Sequence, residues 1–253
     1  CTGAYVAGYS AVRFGISPFA LVLLSAISAS IFGFMVGLIT LRVRGPSFII
    51  SSIALVMIFR IVFDHWDLVG GASGITLPYN SLPVQWSKIP HYYSFLLLAV
   101  LAIYLNWYVR HSKFGLALRA VSHDETRSAV AGINVQLIKI TAFALSTFLI
   151  GAAGAVWADY LTYIRPNMFL IILIAANIVL MCILGGKGTV TGPAVGTVVL
   201  ILFNEFIITF FGATELNILF TGLLLVLTLL YFPQGIVGTL KSRNKLPKFL
   251  DWG

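Results

Sequence analysis

Seven stretches of this chain, 18–41, 47–63, 92–109, 138–158, 169–184, 193–211 and 215–232, are almost unbroken apolar runs of 16 to 24 residues. Such a run crosses the ~30 Å hydrocarbon layer of a bilayer as a helix, which satisfies every backbone N–H and C=O within the segment. Of the 253 residues 59% are hydrophobic and 9% charged, whereas a soluble domain is about a quarter charged. The chain is therefore an integral membrane protein, expected as an all-α bundle of about seven spans in a single transmembrane domain over 1–253. The run 169–184 is short, so a tilted, broken or partly re-entrant helix is the alternative to a regular span there. The opening CTGAYVAGYSAV has no charged leader and reads as the tail of one further, truncated helix.

Orientation follows from Lys and Arg, which collect in short cytoplasmic loops. Placing the polar stretch 111–134 and the C-terminus in the cytoplasm puts four runs between them, as topology requires. Arg42, Arg44, Arg110, Lys113, Arg119, Arg127, Lys139, Lys187, Lys241, Arg243, Lys245 and Lys248 then lie inside; Arg13, Arg60, Lys88 and Arg165 lie outside. This bias accounts for the net charge of +8 as topology anchors, without nucleic acid. The segment 233–253 becomes a basic cytoplasmic tail.

Several chemistries find no residues to carry them. Cys1 stands at the start of the chain and Cys182 inside a run, so neither points to a disulfide or a metal. His65, His91, His111 and His123 read as loop residues without ligand spacing, and there is neither an HExxH nor a GxxxxGK[ST] sequence. No metal or cofactor is expected on this chain. ATP, if used, must be bound elsewhere.

The polar stretch HSKFGLALRAVSHDETRSAVAGIN, 111–134, interrupts the apolar pattern. Gly115 precedes LALRAV, a run of good helix formers; Ser122 and Glu125 have the S-x-x-E form of a capping box, with Asp124 and Glu125 in the first turn of a second helix. Gly132 supplies a left-handed stop. Two short helices with a bend at Ser122 are expected, with Leu116, Ala117, Ala120 and Val121 toward the bundle and Arg119, His123, Asp124 and Arg127 toward water or a partner. A solvated connector is the competing reading, although structured loops of this length tend to be functional.

Glu205 lies in the apolar run LFNEFII, where a charge is costly and must be neutralised, paired or faced by a wet cavity. Asn177, Asn204 and Glu205 are candidates for a polar pathway or for interhelical hydrogen bonds. The pairs Gly33 and Gly37, Gly151 and Gly154, and Gly192 and Gly196 have the spacing of close helix packing. In the Gly-rich turn GGKGTVTGP, residues Gly185, Gly186, Gly188, Gly192 and Pro193 fit a tight turn that packs closely or moves against a partner. The outer loop 64–91 carries VGGASGITLP, with Trp66 and Trp86 fitting an interfacial belt.

The stretch SKFGLALRAVSHDETRSAVAGINVQLIKITAFALSTFLIGAAGAVWA resembles the loop and following helix of permease subunits of branched-chain amino-acid ABC importers. GAY at 3–5, LRVRGPSFIISSIAL at 41–55, GGASGI at 70–75, LGGKGTVTGPAVG at 184–196 and FPQGIVG at 232–238 agree with it, so the resemblance runs end to end. It implies the ABC importer permease fold and a coupling helix within 111–134 that docks on a cytoplasmic ATPase. It also implies ATP and Mg on that partner, a second permease subunit, a soluble binding protein meeting the outer loop, and the bacterial inner membrane. The EAA triplet of many importer permeases is absent, ETR standing at 125–127, and the family's usual upstream helix and GQ-containing stretch are not in the sequence. The chain is read as lacking its N-terminal region.

A permease of the same family for urea, short amides or another small solute is the alternative within the class. A secondary transporter needs coupling carboxylates inside the spans, and Glu205 is the one good candidate. A membrane-embedded enzyme lacks a convergent set of acid, base and nucleophile.

Overall fold

The computed structural model describes all residues except 16, 18, 44–45, 78–83, 187, 213–215, 232–234 and 243–253. Arg44, Lys187, Arg243, Lys245 and Lys248, most of the tail 233–253, and the side chains of Trp86 and Lys241 lie outside the described residues. The chain divides into two compact units, Cys1–Ile171 and Ile172–Gly253.

The first unit contains helices α1 (Thr2–Phe14), α2 (Val22–Thr40), α3 (Pro46–Asp64), α4 (Val84–His111), α5 (Lys113–His123), α6 (Glu125–Val130), α7 (Val135–Leu161) and α8 (Pro166–Phe169). Its centre is α7, which packs against α1, α2 and α4. The seams are made mostly of small residues. Gly3, Ala4, Ala7, Gly8 and Ala11 are buried on α1 beside Tyr5, and Ser25, Ala26, Ala29, Gly33 and Gly37 on α2 beside Thr40. A Cβ on Gly33 would lie 2.1 Å from Thr147 Oγ1, and one on Gly151 would lie 2.3 Å from Ala29 Cβ. Close backbone approach substitutes here for the hydrophobic effect, which vanishes between helices in lipid.

One end of this unit carries a two-stranded antiparallel ribbon, β1 (Ile75–Thr76) with β2 (Tyr163–Ile164), in the register Ile75 to Ile164 and Thr76 to Tyr163. Ala4, Tyr5, Phe63, Leu77, Ala158 and Ile164 form the core beneath it. Gly74, at φ +77°, passes so close to Ile164 that a Cβ would meet its carbonyl oxygen at 2.4 Å. Where α7 ends, Thr162 takes a left-handed conformation (φ 57°), and its carbonyl accepts the Leu77 N–H at 2.9 Å. A β-branched residue there is strained. The loop expected over 64–91 is thus partly helical: α4 begins at Val84, so Lys88 and His91 sit in a helix. His111 and His123 are the last residues of α4 and α5, and among the histidines His65 alone follows a helix as loop.

The second unit contains α9 (Ile172–Gly185), α10 (Gly192–Phe211), α11 (Leu216–Tyr231) and α12 (Gly235–Ser242) around Leu180, Leu184 and Leu200. The α9–α10 crossing is glycine on glycine. A Cβ on Gly185 would lie 1.8 Å from the Gly192 carbonyl oxygen, and one on Gly196 would lie 2.0 Å from that of Met181.

Among the described residues six helical stretches are long and apolar enough to cross a membrane: Val22–Thr40, Ser47–Asp64, Lys88–His111, Val135–Leu161, Pro166–Gly185 and Gly192–Phe210. The stretch Pro166–Gly185 is interrupted at Leu170 and Ile171, at the start of the apolar run 169–184, and is a continuous helix from Ile172 on. The seventh expected span is α11, 16 residues long. At 1.5 Å per residue that is about 24 Å, less than the hydrocarbon thickness.

Candidate functional site

The polar stretch folds as two helices held by side-chain caps in series. Ser112 Oγ accepts the Gly115 N–H at 3.2 Å and donates to the Val109 carbonyl at 2.7 Å, which joins the end of α4 to the start of α5. Gly115 lies inside α5 rather than before it. It is buried, and a Cβ would stand 2.0 Å from the Val109 carbonyl oxygen, so no larger residue fits the sharp turn from α4.

The bend falls at Asp124, not Ser122. Asp124 Oδ1 accepts the N–H groups of Thr126 and Arg127 at 2.9 and 3.1 Å, the geometry of an N-cap. Ser122 continues α5 and donates back to the Arg119 carbonyl at 2.7 Å. No capping box forms, because Glu125 turns away to pair with Lys139 on α7. Gly132, at φ +85°, ends α6 as expected: its N–H bonds the Ala129 carbonyl and the Ile133 N–H bonds the Ser128 carbonyl, a Schellman motif. Asn134 then caps α7 through the Leu137 N–H. Asp124→Ala is expected to cost about 1 kcal/mol, the value of an N-cap. Hydrogen exchange localises the loss: amides 126 and 127 should speed up while those of α5 do not.

The inward face of α5 also differs from expectation. Val121 is buried and Phe114 and Leu118 are half-buried, a 3.6-residue stripe, whereas Leu116 is 61% exposed and joins Val130, 87% exposed, on the outside. Ala117 and Ala120 are half-buried. Lys113, Arg119, His123 and Arg127 are exposed around them. Both acids of the segment are engaged, Asp124 by the α6 amides and by Arg127 (Nε to Oδ2 3.0 Å), Glu125 by Lys139 on α7. The outer surface is therefore basic, with two apolar knobs. A concavity of about 530 Å³ opens between Ala120, His123, Asp124, Arg127, Ala131 and Ile133.

Comparison with known proteins is decisive for the class. Residues 1–229 match the family described as branched-chain amino acid transport system, permease component. The chain belongs to that family. The high-affinity branched-chain amino acid transport system permease protein LivM of Escherichia coli K12 is 24% identical over 271 residues, covering 96% of this chain and 63% of that protein. LivH of the same strain is 28% identical over 141 residues, covering 56% of this chain and 44% of LivH. A probable LivM of Methanocaldococcus jannaschii is 23% identical over 235 residues, covering 86% and 68%. The chain thus spans a little under two thirds of the length of the first of these relatives. No solved structure matches significantly. Family and apolar helices together make this chain a multi-pass membrane protein.

The intramembrane polar candidates of the permease separate on inspection. Thr221 Oγ1 on α11 donates to Asn204 Oδ1 on α10 at 3.1 Å, an interhelical stitch. Glu205, the next residue, is exposed, and its backbone carbonyl accepts Thr209 Oγ1. Asn177 is half-buried on α9. In the Gly-rich turn Thr189 Oγ1 donates to the Gly186 carbonyl and accepts the Gly192 N–H, while Pro193 occupies the first turn of α10, where no N–H is needed. Gly186 has φ +128° and Gly188 +79°. A Cβ on Gly235 of α12 would lie 2.3 Å from Gly186 Cα, so the turn is close-packed on α12.

Two further features involve residues that the sequence pattern did not single out. Between α1, α2, α3 and α7 lies an apolar cavity of about 420 Å³, lined by Phe32, Val36, Phe48, Leu55, Phe59 and Phe143 among others. Three of the hydroxyls around it, those of Thr40, Ser52 and Thr147, donate to carbonyls of their own helices. Elsewhere in the same unit, His91 Nε2 on α4 lies 3.0 Å from Asp159 Oδ2 on α7, with the rings of Phe19 and Tyr160 at 5.1 and 5.7 Å from the imidazole. Asp159 is a carboxylate at the end of an apolar run, just as Glu205 is within one, and the rule that flagged Glu205 also finds it.

Proposed function

We propose that this chain is a transmembrane subunit of an ATP-driven importer for branched-chain or other hydrophobic amino acids, with 1–253 acting as one permease domain of the bacterial inner membrane and its C-terminus in the cytoplasm. ATP and Mg are bound and hydrolysed on separate ABC ATPase subunits, a second permease subunit completes the pathway, and a soluble binding protein delivers the cargo. The chain itself is no enzyme and holds no cofactor or metal. The observation that carries this reading is the capped 111–134 segment, whose outer surface joins exposed Leu116 and Val130 to the charges of Lys113, Arg119 and Arg127. A structured basic surface on an otherwise oily chain suits a soluble partner with an acidic-rimmed cleft. The apolar lining of the 420 Å³ cavity supports an aliphatic cargo.

The test is uptake into proteoliposomes that hold the permease pair, its ATPases and binding protein. Leucine accumulates only with ATP, and urea does not accumulate. Arg119→Glu combined with Arg127→Glu, which places like charge against the partner's rim, lowers ATPase capture about ten-fold. Leucine uptake without ATPase subunits would overturn the proposal, and urea uptake would redirect it to another cargo.

A further inference from the structure

We infer that the Glu125–Lys139 pair is the strut that makes α6 and α7 one lever, so that it transmits partner movement within the permease rather than gripping the partner. This rests on the coupling role proposed above. The argument is geometric. The path from α6 to α7 runs through Ala131, Gly132 and Ile133, and the only glycine in it has φ +85° with nothing within 4 Å of its Cβ position. The hydrogen bonds of Gly132 and Ile133 fix the end of α6 and the Asn134 cap fixes the start of α7, but these bonds are each local to one terminus and do not run between the bodies of the two helices. Glu125 and Lys139 bridge this turn from opposite sides, 14 residues apart in sequence, the first at the start of α6 and the second in the second turn of α7. A bond across the open side of a turn converts a hinge into a triangle.

Exposure separates this pair from the docking surface. Its side chains are 26% (Lys139) and 33% (Glu125) exposed, against 89% for Arg127. A half-buried pair is screened less by salt and holds its geometry better than surface pairs, which contribute little. The other end of the segment is already rigid through Ser112 and Gly115 at the α4 turn, and Val121 anchors its middle. The strut therefore ties α6 directly to α7, which the caps at their facing ends, local to residues 128–133 and 134–137, do not do. Through α7, the helix on which α1, α2 and α4 pack, movement of α6 reaches most of the first unit.

The experiment uses the full importer in proteoliposomes with Glu125→Lys, Lys139→Glu and the double exchange carrying both substitutions, reading ATPase capture, ATP hydrolysis and leucine taken up per ATP. Each single reversal is expected to keep the ATPase bound and hydrolysing while uptake per ATP falls about five-fold, and the double exchange is expected to restore the ratio to within about two-fold. The milder pair Glu125→Gln and Lys139→Met, each leaving no like-charge repulsion, should show the same loss in smaller measure and covers the case in which a reversal fails to fold. Unchanged uptake per ATP in the single variants, or a double exchange no better than either, overturns the strut. Loss of ATPase capture in the single variants also overturns it, because the pair would then belong to the docking surface. A wild-type chain that captures no ATPase fails the proposed function itself, which a separate capture measurement on that chain reveals.

Discussion

Gly151→Val is expected to leave little folded permease in a mild-detergent extract, and Gly151→Ala to lower its stability by about 1–3 kcal/mol, the cost of overpacking a filled site. Gly151 sits where three helices meet. A Cβ there would stand 2.3 Å from Ala29 Cβ and 3.0 Å from the Ser25 carbonyl oxygen, both on α2. On the other flank, a Cβ on Gly3 of α1 would lie 2.3 Å from the Gly151 carbonyl oxygen. The neighbours are backbone and Cβ atoms with no rotamer to change, so the helices must part. Gly154, one turn away, is the control: the nearest atom to its Cβ position is the Ala4 nitrogen at 3.5 Å. Ordinary contact plus the better helix propensity of alanine makes Gly154→Ala neutral or stabilising by up to about 1 kcal/mol. Thermal inactivation midpoints of the two alanine variants in one detergent decide the matter, and equal midpoints would show that the seam has slack.

Removing His91 is expected to cost more than changing its partner. The two side chains are 11% (His91) and 10% (Asp159) exposed. His91→Leu fills space but leaves the Asp159 carboxylate without its imidazole donor. An uncompensated buried charge costs about 3–5 kcal/mol. Asp159→Asn keeps an oxygen acceptor for the imidazole and removes the charge, so its cost is about 1 kcal/mol, that of a weakened hydrogen bond. The order His91→Leu well below Asp159→Asn is the signature, read as the temperature at which half the protein aggregates. An equal shift in both variants would mean that packing of Phe19 and Tyr160 around the imidazole, rather than the charge, is what matters.

The spans were legible because lipid imposes one rule on backbone polar groups, and long apolar runs obey it visibly. Their ends were less so. Hydropathy stops α4 at Tyr92, yet the helix begins at Val84, because QWSKIPH is polar without being unable to turn helically. That hid His91 in a supposed loop. Within 111–134 two good caps stand two residues apart, and local pattern alone favours the serine of S-x-x-E. The structure selects Asp124, whose carboxylate reaches two amides at once, and this frees Glu125 for a partner beyond the next turn. Leu116 departs from expectation for a related reason: apolar character does not fix direction, and the stripe 114, 118 and 121 follows the helical period and leaves 116 outside. Distant pairs such as Lys139 with Glu125 and His91 with Asp159 depend on how helices cross, which no local window contains.

Helix α7 is 27 residues long, about 40 Å at 1.5 Å per residue, and both of its ends are keyed. At one end the Asn134 cap and the Lys139 pair fix its azimuth. At the other, left-handed Thr162 and the Leu77 hydrogen bond fasten it to the ribbon. A rod clamped at both ends carries torque. The polar segment and the β1–β2 ribbon are thus the two ends of one continuous helix, and a substitution that loosens either fastening is felt by the same rod.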